Sequence, residues 1–115
     1  MANTFKVVTK AGVTSADVIY TAGSGVTAIV LGLILGNTTT SQITSTVTLS
    51  SDTSSRAGAN DEANQAVELI IDAPIPAGSS LELLSGNKVV LETTDTISVT
   101  GSGATDVALS IMEIT

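Results

Sequence analysis

The fold is decided by the stretch Val26-Thr27-Ala28-Ile29-Val30-Leu31-Gly32-Leu33-Ile34-Leu35, which lies between Gly25 and Gly36. It is apolar at odd and even positions alike. Because side chains alternate across a strand, a strand here presents apolar groups on both faces. The core of a small β-sandwich can cover one face, and packing against another subunit is the simplest way to cover the other. The alternative is a central strand whose two faces are both internal.

The alternation of this stretch defines a candidate oligomer interface. The outward set is taken as Ile29, Leu31, Leu33 and Leu35. The opposite assignment exchanges this set with Val26, Ala28, Val30 and Ile34. Burying four such side chains in an interface stabilises an oligomer by roughly 1.5 to 3 kcal/mol each, before the cost of association. The sequence therefore favours self-association.

Length and composition indicate one β-rich domain spanning residues 1–115. A chain of this size can bury one core. Its apolar residues are mainly branched aliphatics, with Phe5 and Tyr20 as the aromatic residues, and threonine is abundant. Such residues suit a pleated surface and lose side-chain freedom in helices.

The charge balance argues against nucleic-acid and membrane partners. The net charge is −7, and the cations are Lys6, Lys10, Arg56 and Lys88. Binding to phosphates or to anionic headgroups needs clustered Lys or Arg. We therefore predict neither partner.

The sequence contains no cysteine and no histidine. Disulfides and thiolate metal sites are therefore excluded for these residues, and the side chain that most often titrates near neutrality is missing. We predict no catalytic residues, no metal and no cofactor, so the protein is expected not to be an enzyme.

Turn residues recur about every ten positions, which is typical of a β-sandwich. The predicted fold is all-β, a two-sheet antiparallel β-sandwich of jelly-roll or Ig-like type. The predicted strands are Phe5–Lys10, Asp17–Ala22, Val26–Leu35, Ile43–Ser50, Val67–Asp72, Ser80–Leu84, Lys88–Glu92, Thr96–Thr100 and Asp106–Ile114. Two strands alternate cleanly: one face carries Ile43, Val47 and Leu49 in the first, and Val107, Leu109 and Ile111 in the second.

Between these strands, four features predict local structure. Gly86-Asn87 is expected to form a tight hairpin turn. Pro74 and Pro76 cannot donate ladder hydrogen bonds, so their segment is expected to be a corner between the sheets. Asp95 is expected to bind nearby backbone amides in a turn. Residues 1–10 are expected to form an N-terminal arm.

Residues 51–65 are expected to form a long loop, and such loops often carry function. The candidate partner-binding side chains are Asp52, Arg56, Asp61 and Glu62. The sequence leaves two alternatives for this segment. One is a short helix from Asp61 to Val67, and the other is a Ca²⁺ site, although the spacing matches no known calcium loop.

The remaining patterns concern export. No basic segment followed by an apolar segment begins the chain, and the run at Val26 is about half the length needed to cross a bilayer. We therefore expect a soluble protein made in a cytoplasm. Asn37-Thr38-Thr39 matches a glycosylation acceptor, which is then a chance match.

The C-terminal half has a recognisable pattern, namely Ala73-Pro-Ile-Pro-Ala-Gly-Ser-Ser-Leu-Glu-Leu-Leu-Ser-Gly-Asn-Lys-Val-Val-Leu-Glu, followed by the strand from Val107 to Ile114. This pattern resembles small virion structural proteins of tailed phages, notably cyanophages and other marine phages. The opening residues 1–6 and the strand around Val30 also fit. The resemblance covers most of the chain apart from residues 51–65.

The resemblance implies a β-sandwich building block of a phage particle, made in the bacterial host cytoplasm. The favoured role is a capsid cement or decoration protein, trimeric, that stabilises the shell of the major capsid protein. The alternatives are a neck, tail, baseplate or fibre component, or a module that binds host-surface glycans through its threonine rows.

Overall fold

The computed structural model describes residues 2–51, 65–84 and 86–115. These residues form strands and connecting turns, with no helix among them. The strands are β1 (Asn3–Val13), β2 (Asp17–Thr21), β3 (Thr27–Asn37), β4 (Ile43–Ser51), β5 (Gln65–Ile75), β6 (Ser80–Leu83), β7 (Val89–Leu91), β8 (Thr96–Gly101) and β9 (Thr105–Ile114). The predicted all-β fold is confirmed.

The strands form two antiparallel sheets. Sheet A has the order β1-β9-β3, and both β6 and β7 pair with the free side of β3. Sheet B has the order β2-β8-β4-β5. The apolar sides of the two sheets share one buried cluster, so the predicted β-sandwich is confirmed.

The pairing of strands is nested along the chain. β4 pairs with β5, β3 with β6 and β7, β2 with β8, and β1 with β9. One long antiparallel ribbon is thus rolled into two sheets, which is the jelly-roll connection. An Ig-like domain would instead join several neighbouring strands within one sheet. Of the two predicted forms, the structure adopts the jelly roll.

The core consists of aliphatic side chains from both sheets. The fully buried ones include Val30, Leu33, Leu35, Val47, Ile97, Val99, Leu109 and Ile111. The alternation predicted for β4 and β9 is confirmed, because Val47 and Leu109 lie in this core with their same-face neighbours. Each such side chain stabilises the fold by about 1.5 to 3 kcal/mol.

The hairpin predicted at Gly86-Asn87 is wrong. β6 pairs with Leu33–Gly36 and β7 with Ala28–Val30, so both run in the same direction along β3. The segment between them interrupts one line of pairing, with positive φ angles of 61° at Leu84 and 91° at Gly86. Glycine adopts positive φ in an interrupted strand as readily as in a hairpin turn. The sequence therefore could not distinguish a break in the pairing from a hairpin.

The corner predicted around the two prolines begins later than expected. Pro74 lies inside β5, opposite Thr44. This is tolerated because β5 is the edge strand of sheet B, where an N–H on the open side is not needed. The chain crosses to sheet A between Pro76 and Ser79, where the Ser79 N–H donates to the Pro76 carbonyl at 3.1 Å.

Two further predictions for chain segments are corrected. Residues 1–10 do not form an arm, because β1 pairs along its length with β9 and completes one edge of sheet A. The backbone ladder continues to Ala2 and Thr115, whose two N–H···O distances are 3.1 and 3.0 Å. The helix considered for Asp61–Val67 is excluded from Gln65 onward, since β5 begins there, and its other residues lie outside the described ones.

Candidate interaction surfaces

A β-bulge in β3 decides which side chains face outward on sheet A. Val30 pairs with Ile111 and Gly32 with Ser110, so Leu31 is an extra residue with no partner on β9. An extra residue in one strand exchanges the inward and outward positions that follow it. Even-numbered residues therefore face the core before the bulge, and odd-numbered residues face it afterwards.

The bulge overturns half of the predicted oligomer interface. Leu33 and Leu35 are fully buried in the sandwich core, with 0% of each residue exposed. Ile29 and Leu31 remain half-buried on the outer side, and Ile34 joins them with 46% exposed. The prediction assumed one uninterrupted alternation, and a run that is apolar at every position cannot reveal where the alternation shifts.

The outer face of sheet A carries a line of apolar residues that crosses four strands. Phe5 on β1 pairs with Met112 on β9, Met112 pairs with Ile29 on β3, and Ile29 pairs with Val90 on β7. We call these four residues the apolar row. Its ends are well exposed, at 71% for Phe5 and 56% for Val90, and its two central residues are half-buried.

Further apolar groups extend the row. Val7 is 62% exposed and lies two residues along β1 from Phe5, on the same face. Ile34 lies further along, beside Ala108. Among the paired positions of the described strands, the ionisable groups on this face are Glu82 and Asp106, both near the Ile34 end. Just beyond the ends of β7, the exposed residues Lys88 and Glu92 lie two positions on either side of Val90, which is the spacing of one strand face. The outer face of sheet A is thus mainly apolar, with charged groups at its margins.

The outer face of sheet B is chemically different. Register places hydroxyl side chains side by side on β4 and β8: Thr44, Thr46, Thr48, Ser50, Thr96, Ser98 and Thr100. Threonine is favoured in strands for its branched side chain, so such a face is an ordinary solvated surface of a sheet. The apolar residue Val18 also lies on this face, opposite Ser98, and is 48% exposed. The molecule therefore has one mainly apolar outer face and one that is mainly hydroxyl-bearing.

A polar group ties the two sheets together at the side where β1 and β2 lie. The hydroxyl of Tyr20 on β2 donates to Oε2 of Glu113 on β9 at 2.6 Å. Lys6 Nζ lies 2.7 Å from the other oxygen of that carboxylate, whose side chain is 15% exposed. Hydrogen bonds from Lys6 and then Tyr20 hold the pKa of Glu113 below its ordinary value. Burial, followed by the contact with Glu113, raises the pKa of Tyr20.

Asn37 at the end of β3 is a buried structural residue that the sequence did not reveal. It is 3% exposed, and its Nδ2 donates to the carbonyl oxygens of Ser41 and Ile75, both at 2.8 Å. Its Oδ1 accepts from the N–H and the hydroxyl of Thr39, at 2.8 and 2.7 Å. The two donors and the two acceptor positions of the side-chain amide are thus all used in four bonds, and Asn37 closes the β3–β4 turn.

The turn predicted at Asp95 is confirmed. Its Oδ2 accepts from the Glu92 N–H at 2.9 Å and from the Ser51 hydroxyl at 3.2 Å. The side chain is 2% exposed, and the Asp95 N–H donates back to the Glu92 carbonyl at 2.9 Å. The carboxylate therefore organises the β7–β8 turn.

The predicted partner-binding residues Asp52, Arg56, Asp61 and Glu62 lie outside the described residues. Within the described part of the chain, no group of three or more Asp or Glu side chains could hold a metal ion. Nor does that part contain a helix long and apolar enough to cross a membrane.

Comparison with known proteins gave one structural similarity. No family model matches this sequence, and no curated protein matches it. A chain of the Bacillus endospore appendages, which form disulfide-linked pili, superposes with a TM-score of 0.47 and 16% identity, covering 97% of this chain and 84% of that chain. A similarity this distant carries no argument about function.

Proposed function

We propose that this protein is a non-enzymatic structural subunit of a tailed-phage virion, most simply a cement or decoration protein on the outside of the capsid. The proposal combines the sequence resemblance described above with one structural observation. That observation is the apolar row on the outer face of sheet A, where Phe5 and Val90 are exposed by more than half. Continuous apolar surface of this kind marks a place where another protein packs.

A subunit of this type acts by burying surface and carries out no reaction. It forms a homo-oligomer, for which the resemblance favours a trimer, and it binds the major capsid protein or other virion proteins. Any surface that is buried only in the closed shell raises the free energy of shell opening, by the same mass action that links ligand binding to stability. The net charge of −7 suits the outside of the shell better than its DNA-filled interior.

The proposal is tested on phage particles that encode this chain. Mass spectrometry of purified virions is expected to find the protein at high copy number, and labelled antibodies are expected to decorate the capsid surface. Particles from a deletion mutant are expected to assemble but to release DNA at a lower temperature. Virions without the protein, or deletion particles with unchanged thermal stability, would contradict the cement role.

Labelling confined to the neck, tail, baseplate or fibre would instead support the alternative positions in the virion. A host-surface binding module is the second candidate function, and the hydroxyl-rich outer face of sheet B favours it. Sugar rings usually stack on aromatic side chains, and the aromatic residues here are Phe5 and Tyr20. A glycan array separates these functions, because only the binding module is expected to retain a sugar.

A further inference from the structure

We infer that the outer face of sheet A is covered by a second copy of this chain. The inference rests on the proposed function in that it names the first partner of the structural subunit. It concerns the face that carries the apolar row and not the contact with the capsid shell. Three properties of the described residues support it: the size of the face, its charge, and the protection of the sheet edges.

The size of the face matches that of a stable interface. β1 and β3 each have eleven residues, so at about 3.3 Å per residue the face is about 36 Å long. Four strand positions side by side, β1-β9-β3 and the β6/β7 line, give a width of about 19 Å. The area is then about 700 Å², and a specific interface buries about 800 Å² on each partner.

Charge favours a second copy on this face. Two chains of net charge −7 repel each other wherever carboxylates meet. The outer face of sheet A keeps that repulsion small, because Glu82 and Asp106 lie near the Ile34 end, several residues along the strands from the apolar row. Beside Val90, the exposed carboxylate of Glu92 is balanced by the exposed cation Lys88. A strongly charged partner would find little on this face to pair with, whereas a second copy can bury apolar surface here without removing many charges from water.

The sheet edges oppose the other common route to association, which is strand addition. On β1, Lys6 and Lys10 occupy the inward-facing positions opposite Ile111 and Val107, and inward charges at an edge hinder pairing with another strand. On β5, a positive φ of 47° at Asp72 breaks the regular edge, and Pro74 removes a donor.

The two other edges are also protected. β2 has five residues and a register shift between Val18 and Tyr20. The β6/β7 edge is interrupted after Leu83. Short and irregular edges are poor templates for strand addition. Association through a face is therefore favoured over association through an edge.

The first test compares matched lysine variants by sedimentation equilibrium. At about 100 μM, the parent is expected to have at least twice the 11.5 kDa mass of one chain. Val90→Lys and Val7→Lys, on the outer face of sheet A, are expected to fall to the mass of one chain. Thr100→Lys, on the outer face of sheet B, is expected to keep the mass of the parent. A parent of single-chain mass, or folded sheet A variants that keep the parent's mass, would overturn the inference.

The second test does not need a disruptive substitution, and it decides the matter if the lysine variants fail to fold. The sequence contains no cysteine, so Val90→Cys and Thr100→Cys each carry one thiol. At high protein concentration the thiol at position 90 is expected to react with a maleimide several-fold more slowly than after dilution. The thiol at position 100 is expected to react equally fast in both. Equal rates at position 90 would show an uncovered face.

These tests separate the inference from the proposed function. A protein that oligomerises through the outer face of sheet A but is missing from virions supports the inference and contradicts the cement role. A single-chain protein found on capsids does the reverse.

Discussion

The hydroxyl of Tyr20 and the carboxylate of Glu113 meet at 2.6 Å, although the residues are 93 positions apart in the chain. Their contact joins β2 of sheet B to β9 of sheet A at one side of the sandwich. Lys6 completes the group from β1. The side chains that link the sheets here are polar, whereas the interior beside them is aliphatic.

Tyr20→Phe is expected to lower the free energy of unfolding by about 1.5 to 3 kcal/mol, the usual contribution of a hydrogen bond to a charged group. Glu113→Gln is expected to lower it as well. The double variant should lose less than the sum of the two, because Glu113→Gln weakens the bond by making its acceptor neutral, and that weakening no longer matters once Tyr20→Phe has removed the donor. Urea denaturation of the four proteins measures this cycle, and strict additivity would contradict the contact.

The same pair predicts how stability changes with pH. The pKa of Glu113 is lowered in the folded state, so its contribution is complete above the ordinary value of 4.5 and is lost as pH falls through the folded value. The pKa of Tyr20 is raised, so its contribution is complete below the ordinary value of 10.0 and decreases as pH rises above it. Urea midpoints across pH should therefore fall at both ends.

Variants assign each end of that pH profile. Tyr20→Phe is expected to flatten the decrease above pH 10.0, and Glu113→Gln is expected to reduce the decrease in acid. An alkaline decrease that is unchanged in Tyr20→Phe would show that another group causes it.

Because of the bulge at Leu31, lysine substitutions at two adjacent positions of β3 are expected to have very different effects on stability. Leu33→Lys places an unpaired charge in the core and is expected to destabilise the protein by at least about 3 kcal/mol. Ile34→Lys, at a residue that is 46% exposed, is expected to change the stability of the single chain, measured at high dilution, by about 0.5 kcal/mol or less. Thermal unfolding of the two variants checks the assignment. Reversed sensitivities would mean that the alternation continues unshifted through β3.

Substitutions of Asn37 are expected to lower the free energy of unfolding by amounts that depend on the replacing side chain. Asn37→Asp is expected to lower the free energy of unfolding by about 3 kcal/mol, more than the loss of a neutral hydrogen bond. The reason is that a carboxylate would face the Ser41 and Ile75 carbonyls without a proton to donate. Asn37→Ala leaves those carbonyls unpaired and is expected to cost about 2 kcal/mol. If the Asp variant is as stable as the parent at neutral pH, the described network is wrong.

Gly101 and Gly32 form a matched pair of glycines in strands. A Cβ at Gly101 would lie 2.7 Å from the Val13 carbonyl oxygen and 2.8 Å from that of Gly103, and backbone cannot move aside easily. A Cβ at Gly32 has no atom within 4 Å. Gly101→Ala is therefore expected to cost about 2 kcal/mol or more, and Gly32→Ala to be close to neutral. Chemical denaturation compares them, and equal stability would contradict the crowding at Gly101.

Much of the fold follows from local patterns. The alternation in Ile43–Leu49 identifies β4 and its buried side, because each residue's position within a strand determines the face it occupies. The strands β8 and β9 are equally clear. The doubly apolar run of β3 correctly predicted a strand with apolar groups on both faces.

The features that determine which side chains lie on the outer face of sheet A, and which polar groups are buried, could not be predicted from the sequence. Leu31 is apolar like its neighbours, so nothing marks it as the extra residue of a bulge. Tyr20 and Glu113 meet only through the arrangement of the sheets, and no local pattern connects residues so far apart. Asn37 belongs to the Asn37-Thr38-Thr39 motif, which is usually interpreted as an exposed glycosylation site. In each case the missing information is long-range pairing.

The nested order of the strands has a consequence for synthesis on the ribosome. Of the described strands, β1 is synthesised first and its partner β9 last, and the ladder that joins them extends to Thr115. Contacts between such distant segments fold slowly, because a large loop must close before they form. Until then, the nascent chain carries Phe5 and Val7 on a strand that has no neighbour. The time for which these apolar side chains stay exposed therefore depends on how quickly β9 is synthesised.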